Sequence, residues 1–285
     1  MSSFSLVQLW FCPLTQLDDA GPNIDSLKRW LTEDELAKVA RYRLQDARTR
    51  ALYVRGFLRA ILSRYAPLSP DEWRFEYGEK GKPRLCAEQR DQTGLEFNLS
   101  HSGDYLLLGV MRAGSENVEL GVDIEHARTS TDIYPILNHY FSPQEVTALL
   151  NLPENRQRQR FFDLWALKES YIKATGQGLA KSLKSFGFDL SEAREETLPM
   201  RLATGLDSPF YSESVASELE LELELYRGIG LSFADNGSDK KVEPNPWQSC
   251  LGRLNEEYRF AVTLGGSVKP MALDARLVCP NNLLR

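Results

Sequence analysis

The sequence alternates between helical and strand-like segments, and it does so twice in the same order. Residues 27–65 have helical spacing of apolar side chains, and strand-like runs follow between residues 95 and 125. The second half repeats this order with a helical pattern over residues 161–175 that stops at Gly176 and Gly178, before the strand-like segments FGFDL, LELELEL and EYRFAVTL. The repeat predicts an α+β fold of two similar halves packed side by side, with a cleft between them.

Local patterns add detail to this outline. Thr32 and Glu35 have the spacing of a helical capping box. The runs DYLLLGVM and NVELGVDIE are separated by the turn-rich RAGSE, which predicts that they pair as antiparallel strands. The segment SELELELEL alternates strictly, so it predicts a strand with one apolar face and one glutamate face. We interpret it as an acidic strand edge that discourages aggregation, with a functional acidic patch as the alternative.

Composition limits the classes of function. The chain has 285 residues, of which 42% are hydrophobic, and shows neither a secretory leader nor a membrane-spanning run, so we expect a soluble cytoplasmic protein. A net charge of −6 argues against a nucleic-acid surface, and any polyanionic ligand requires local cations. The cysteines are far apart and only three histidines are present, which supports neither a zinc site nor a disulfide framework; the cysteines are Cys12, Cys86, Cys250 and Cys279.

Two segments contain the residue types of a metal site. Asp123 and Glu125 lie two residues apart on a predicted strand, so both carboxylates project from one face. Oxygen-only ligands suit Mg²⁺, although an exposed, solvated strand face explains the pair as well. Trp165, Glu169 and Lys173 are spaced four apart and share one face of the predicted helix, where Glu169 and Lys173 alone would be an ordinary surface ion pair.

A third segment, FNLSHSGDY, contains groups that suit phosphate oxygens. Asn98, Ser100, His101 and Ser102 cluster where a predicted strand gives way to a turn, and a satisfied polar turn is the alternative explanation. Upstream, the glycine-containing segment GEKGKPRL adds Lys82, which follows Gly81, to the same part of the sequence.

Together and in this order, the segments resemble the Sfp-type phosphopantetheinyl transferases of the holo-acyl-carrier-protein synthase superfamily. The family signature reads GKP, FN-hydrophobic-SHS, GVDIE and W-x-x-KE-x-x-x-K-x-x-G-x-G; here its blocks are residues 81–83, 97–102, 121–125 and 165–178. The resemblance implies an enzyme that transfers 4'-phosphopantetheine from coenzyme A to a serine of an apo acyl or peptidyl carrier protein. Mg²⁺ is the implied cofactor and 3',5'-ADP the implied product.

The resemblance also implies roles for individual residues. The implied metal ligands are Asp123, Glu125 and Glu169, and the implied catalytic residues are Asp123, Glu169 and Lys173. The implied coenzyme A contacts are Arg50, Lys82, Pro83, Ser100, His101, Asp123, Lys168, Glu169 and Lys173, with Lys38 as a further candidate. Lys181 and Lys184, after GQGL, could contribute to carrier docking.

The family fold is a pseudodimer of two similar α/β halves with antiparallel sheets, which agrees with the repeat. It predicts an N-terminal half, residues 1–120, with the coenzyme A phosphate-binding helix and sheet, and a C-terminal half, residues 121–285, with the metal site and the KESYIK helix. An insertion around residues 203–245 departs from the compact family pattern. Two halves in one chain make a functional monomer the expected state.

Two other functions remain open from the residues. A regulatory protein could bind coenzyme A without chemistry, and a metal-dependent hydrolase of pyrophosphate bonds could use the same carboxylates. The sequence does not distinguish carriers of fatty-acid, polyunsaturated-fatty-acid, polyketide or nonribosomal-peptide synthases, and it leaves the general base open between Glu169 and another carboxylate.

Overall fold

The structure is a computed structural model that describes residues 4–14, 24–114, 117–178, 181–203, 220–234 and 247–278. The described helices are α1 Ile24–Trp30, α2 Glu33–Ala40, α3 Gln45–Leu62, α4 Ala87–Thr93, α5 Ile133–Tyr140, α6 Pro143–Leu150 and α7 Glu154–Thr175. The described strands are β1 Ser5–Pro13, β2 Phe75–Tyr77, β3 Pro83–Leu85, β4 Leu95–Ser102, β5 Tyr105–Arg112, β6 Glu119–His126, β7 Phe186–Asp189, β8 Arg194–Ala203, β9 Glu220–Arg227, β10 Gly230–Phe233, β11 Gln248–Arg253, β12 Tyr258–Gly265 and β13 Met271–Val278. These elements confirm the predicted α+β class.

Most strands form one nine-stranded sheet. Its order is β4-β5-β1-β13-β8-β9-β11-β12-β6, while β7 pairs with β10 and β2 pairs with β3 in separate two-stranded sheets. The large sheet is mixed, because β13 runs parallel to both β1 and β8. The antiparallel arrangement predicted from sequence therefore holds for the other pairs of the large sheet and for both small sheets, but not for the two pairs that β13 makes.

Two predictions about strand neighbours were wrong. β5 and β6 do not pair, because β5 has β1 and β4 on its two edges while β6 pairs with β12. The glutamate-rich β9 is not an edge strand, since β8 and β11 lie on either side of it. Parts of the predicted insertion, residues 204–219 and 235–245, lie outside the described residues.

The hydrophobic core of the described residues has three large parts and a smaller cluster where α2 packs on α3. α3 packs on β1, β4 and β5, with Trp10 and Phe57 fully buried between them. α7 packs with α5 and α6 on β11 and β12, around Phe161 and Ala261. The third part lies where two regions of the large sheet face each other, and there the rings of Phe11 on β1 and Phe260 on β12 meet with centroids 5.1 Å apart. The sheet is thus bent so that its two end strands, β4 and β6, lie beside each other.

The predicted helix boundaries are confirmed where the sequence has clear capping residues. Thr32 and Glu35 form the predicted capping box at the start of α2. α7 ends at Gly176, whose φ of 67° lies in the left-handed region that glycine adopts without strain. Within the described part of the chain, no helix is both long and apolar enough to span a bilayer.

α7 lies against β6 at an unusually short distance, and Gly121 makes this possible. A Cβ at position 121 would overlap the carbonyl oxygen of Ser170 and the backbone nitrogen of Ala174, both on α7. Because backbone atoms of a helix cannot move aside as a flexible side chain can, any larger residue pushes α7 away from β6.

We predict that Gly121→Ala lowers the free energy of unfolding by about 1–3 kcal/mol, the usual range for overpacking in a core. Denaturant titration followed by circular dichroism measures this change. Gly230→Ala is the matched control, because a Cβ there makes ordinary contact, 3.5 Å from the Cβ of Asp189. Equal stability of the two variants would contradict the close-approach argument.

Candidate active site

The seam between β4 and β6 is the first part of the candidate site. The amide of Val122 donates to Oδ1 of Asn98 at 2.9 Å, and the amide of His126 donates to Oγ of Ser102 at 3.1 Å. The hydroxyl of Ser102 also donates to Oε2 of Glu125 at 3.4 Å. Side chains of β4 therefore bind both the backbone and a carboxylate of β6.

Asp123 lies at the centre of the site and is only 1% exposed. Its Oδ1 accepts a hydrogen bond from the hydroxyl of Ser100 at 2.8 Å and an ion-paired one from Nζ of Lys173 at 2.5 Å. Lys173 also donates to Oγ of Ser100 at 2.5 Å. The other carboxylate oxygen of Asp123, Oδ2, is buried and has no hydrogen-bond partner among the described residues. One oxygen of the carboxylate is thus satisfied, and the second is available to a ligand.

The three predicted metal ligands influence one another's charge. Burial raises the pKa of the Asp123 carboxyl, against the lowering effect of Lys173. Burial, followed by the charge of Asp123, raises the pKa of Glu125 to about 8, and Glu169 contributes in the same direction. Burial and the charge of Asp123 also raise the pKa of Glu169. The structure therefore brings Asp123, Glu125 and Glu169 close enough to repel one another electrostatically.

Two observations bear on whether these residues fit a metal ion. Among the residues that the structure describes, no three His, Cys, Asp or Glu side chains are already gathered at metal-binding distance. The unpartnered Oδ2 of Asp123 and the mutual repulsion of the carboxylates are nevertheless the state that a divalent cation relieves. The all-oxygen donor set suits a hard cation such as Mg²⁺.

Positive groups lie on the other side of Ser100. Desolvation, followed by the charges of Lys173, Arg50 and Arg55, lowers the pKa of His101, so the charges of all three cations act on its imidazole. Arg50 donates to the carbonyl of Gly103 in the β4–β5 turn. Arg55 was not predicted as a site residue; it lies on the same helix as Arg50, α3, a little more than one turn further along the chain.

Lys82 lines a large cavity. Nζ of Lys82 donates to the carbonyls of Leu120 at 3.0 Å and Ala174 at 2.8 Å, and burial lowers its pKa to about 8. Pro83 begins β3 and pairs with Tyr77. The cavity measures about 640 Å³, and its lining includes Lys82, Arg84, Arg90 and Gly176. The ammonium of Lys82 has three N–H donors, so one remains for a ligand in the cavity.

Lys168 does not lie with the other predicted residues. It is fully buried, forms a 2.8 Å ion pair with Glu145, and donates to the carbonyls of Leu183 and Phe186, each at 2.7 Å. These acceptors satisfy its three N–H donors. Lys168 therefore ties α7 to α6, to the turn before β7 and to the first residue of β7.

The remaining predicted lysines are dispersed. The ammonium of Lys38 lies 4.1 Å from the centre of the Tyr77 ring. Lys181 donates to the hydroxyl of Tyr171 at 2.8 Å and lines the large cavity. Lys184 is exposed in the 3₁₀ turn Leu183–Ser185.

Asn98 and Ser102 were noted in the sequence but given no role in the site. The sequence groups them with Ser100 and His101 as residues that suit phosphate oxygens, but only Ser100 and His101 are implied to contact coenzyme A. The alternation of a strand places residues 98, 100 and 102 on one face, so the pattern contains the information that all three side chains point the same way. Knowing what they contact requires the position of β6, which pairs with a different strand.

Comparisons with known proteins agree with this geometry. A model of the 4'-phosphopantetheinyl transferase superfamily matches residues 119–222, and a model of the 4'-phosphopantetheinyl transferase N-terminal region matches residues 21–112. The first match includes β6 and α7, and the second includes α3, Lys82 and β4.

Individual relatives extend the match. The 4'-phosphopantetheinyl transferase HetI of Nostoc is 36% identical over 175 residues, which are 61% of this chain and 70% of the relative. The 4'-phosphopantetheinyl transferase psf-1 of Bacillus pumilus is 35% identical over 195 residues, covering 67% of this chain and 78% of the relative. The 4'-phosphopantetheinyl transferase Sfp of Bacillus subtilis is 29% identical over 163 residues, 57% of this chain and 68% of the relative. The chain therefore belongs to the 4'-phosphopantetheinyl transferase superfamily, and it is an enzyme of that family.

Proposed function

We propose that this enzyme transfers the 4'-phosphopantetheine arm of coenzyme A to a serine of an apo acyl or peptidyl carrier protein, releases 3',5'-ADP and requires Mg²⁺. The observation that supports this most directly is the Asp123 carboxylate, which is buried, paired with Lys173 through one oxygen and unpartnered at the other. A carboxylate in this state, beside Glu125 and Glu169, suits a cation and a phosphoryl group together.

The reaction exchanges the phosphoanhydride bond of coenzyme A for a phosphate ester bond to serine. The serine oxygen of the carrier bonds to the β-phosphorus of coenzyme A, and the bond from that phosphorus to the bridging oxygen breaks. The electron pair leaves with 3',5'-ADP, and the serine proton passes to a base. We propose Glu169 as this base, because the charge of Asp123 acts on its carboxylate, which places it near the reacting centre.

Asp123, Glu125 and Glu169 are the proposed ligands of Mg²⁺. A bound cation would offset the charge of the pyrophosphate during transfer. Lys173 has two of its N–H donors on Ser100 and Asp123, so its third is free to stabilise the leaving phosphate. The ion pair with Asp123 thus holds the ammonium of Lys173 in position.

The phosphates of coenzyme A are proposed to contact the positive groups around Ser100. The charge of Arg50 acts on His101 there, and Lys82, which precedes Pro83, lines the cavity of about 640 Å³, which has room for the adenosine end of the molecule. We further propose that residues 1–120 and 121–285 are the two similar halves of a pseudodimer, that the β4–β6 seam is the floor of the cleft between them, and that the enzyme works as a monomer.

One assay distinguishes the proposed function from its rivals. The protein is incubated with coenzyme A, Mg²⁺ and an apo carrier protein, and the carrier is weighed by mass spectrometry. A carrier heavier by one phosphopantetheine supports transfer. Cleavage of coenzyme A with an unmodified carrier would favour a hydrolase, and binding without turnover would favour a regulatory protein.

We predict that Glu169→Gln lowers the transfer rate by about 10²–10⁴-fold, the usual contribution of a positioned acid or base, while the fold is retained. The amide keeps the size of the side chain but neither accepts the serine proton nor supplies a charge to the cation. Initial rates under saturating Mg²⁺ and coenzyme A measure the effect. Glu222→Gln, on the exposed face of β9, is the control and should transfer at the wild-type rate. A rate for Glu169→Gln close to that control would remove Glu169 from the proposed machinery.

We predict that coenzyme A binding weakens about tenfold between pH 7 and pH 9 through Lys82, because an ammonium with a pKa near 8 is mostly charged at the lower pH and mostly neutral at the higher one. The charged form binds phosphate, so affinity is present below pH 8 and lost above it. Calorimetric titration of the wild type and Lys82→Met measures the difference, in which the titration of coenzyme A itself cancels.

Lys28→Met provides the comparison, since Lys28 is exposed and paired with Asp25. It should keep the wild-type pH dependence, whereas Lys82→Met should lack this part of it. The same dependence in Lys82→Met and the wild type would mean that Lys82 serves only the backbone carbonyls it already binds.

A further inference from the structure

The β4–β6 seam joins two strands that stand at opposite ends of the sheet order. The edge of β6 that faces β4 presents backbone N–H groups, and buried N–H groups require acceptors. Side chains supply them: Oδ1 of Asn98 accepts from Val122, and Oγ of Ser102 accepts from His126. Side-chain hydrogen bonds thus take the place of a backbone ladder along this edge.

These two hydrogen bonds bracket the acidic residues of the site. Val122 immediately precedes Asp123, and His126 immediately follows Glu125. The backbone that supports both carboxylates is therefore fixed at each end by a side chain from β4. Ser102 adds a direct contact, because the hydroxyl that accepts from His126 also donates to the carboxylate of Glu125.

We propose that Asn98 and Ser102 are positioning residues for the transfer reaction, an inference that rests on the proposed function. Oδ1 of Asn98 and Oγ of Ser102 are engaged with β6, and Asn98 is buried at 3% exposure, so we assign both residues a role through β6 and not through contact with substrate. They hold the strand so that Asp123 and Glu125 face Glu169 on α7.

The argument depends on the cost of an unpaired amide. When a side-chain acceptor is removed, the buried N–H opposite loses its partner, and the strand relaxes until water or another group replaces it. Carboxylates that must converge within about 0.5 Å tolerate little movement of this kind. Loss of a residue that orients a ligand typically lowers activity or metal affinity by about 10–100-fold.

The test compares Ser102→Ala with Ser102→Thr, which retains the hydroxyl, and with Ser5→Ala as the matched control. Like the half-buried Ser102, Ser5 is a strand serine whose hydroxyl is hydrogen-bonded to another side chain, Oγ of Ser267 at 2.7 Å. Ser5 is buried and lies on β1, whose neighbours in the sheet are β5 and β13. All variants are examined by amide hydrogen exchange without Mg²⁺ or coenzyme A, and then by transfer kinetics.

We expect Ser102→Ala to increase exchange at the His126 amide by about tenfold or more, because that amide loses its acceptor. We expect its kcat to fall by about 10–100-fold, with little change in the KM for coenzyme A. Ser102→Thr should restore both slow exchange and kcat, and Ser5→Ala should match the wild type in both. Asn98→Ala should increase exchange at the Val122 amide and lower kcat in the same way.

Several results would overturn the proposal. Unchanged exchange at His126 in Ser102→Ala would show that the seam does not hold β6. Faster exchange with wild-type kcat would show that the seam has no bearing on the reaction, and an equal loss of kcat in Ser5→Ala would make the effect a general one. Failure of the proposed function is distinguishable, since it appears as absence of transfer by the wild type whatever the exchange rates are.

Discussion

The burial of the Asp123 carboxylate is the constraint on which the rest of the site depends. A carboxylate removed from water is unfavourable unless an opposite charge and hydrogen bonds offset its lost hydration. Lys173 supplies the charge from α7, and Ser100 supplies a hydrogen bond from β4. Because Asp123 itself lies on β6, three separate elements must meet at one atom, and the fold has to bring them there.

Two features of the fold accomplish this meeting. The bent sheet brings its end strands β4 and β6 together, and Gly121 allows α7 to lie directly on β6. Once α7 is at this distance, regular geometry does the rest. One helical turn of about 5.4 Å separates Lys173 from Glu169, and two strand residues of about 3.3 Å each separate Asp123 from Glu125. The spacing along the helix is thus similar to the spacing along the strand, which allows Glu169 and Glu125 each to approach Asp123. The charge of Asp123 accordingly raises the pKa of both glutamates.

Much of this arrangement could be predicted from sequence, because it depends on local periodicity. A strand places Asp123 and Glu125 on one face, and a helix places Glu169 and Lys173 on one face, whatever the rest of the chain does. The same rule bears on Lys168, since adjacent residues of a helix point in different directions. Lys168 accordingly turns away from Glu169 and pairs with Glu145.

Strand neighbours are different, because β6 pairs with β12, more than a hundred residues later, and no local pattern identifies that partner. For this reason the β5–β6 pairing was wrong and the roles of Asn98 and Ser102 were missed.

The electrostatics of the site explain how an acidic protein can suit a polyanionic substrate. The net charge of −6 belongs to the whole surface, whereas charges separated by more than about 8–10 Å are largely screened at physiological salt. Within that distance the site has two unlike sides. Asp123, Glu125 and Glu169 form a negative side, and the groups that lower the pKa of His101, namely Lys173, Arg50 and Arg55, form a positive side. A pyrophosphate accompanied by a divalent cation has the same two-sided character, with the cation on one side and free phosphate oxygens on the other. Lys173 belongs to both sides, because it pairs with Asp123 and also donates to Ser100. The two sides are therefore coupled through one lysine, whose position depends on its ion pair with Asp123.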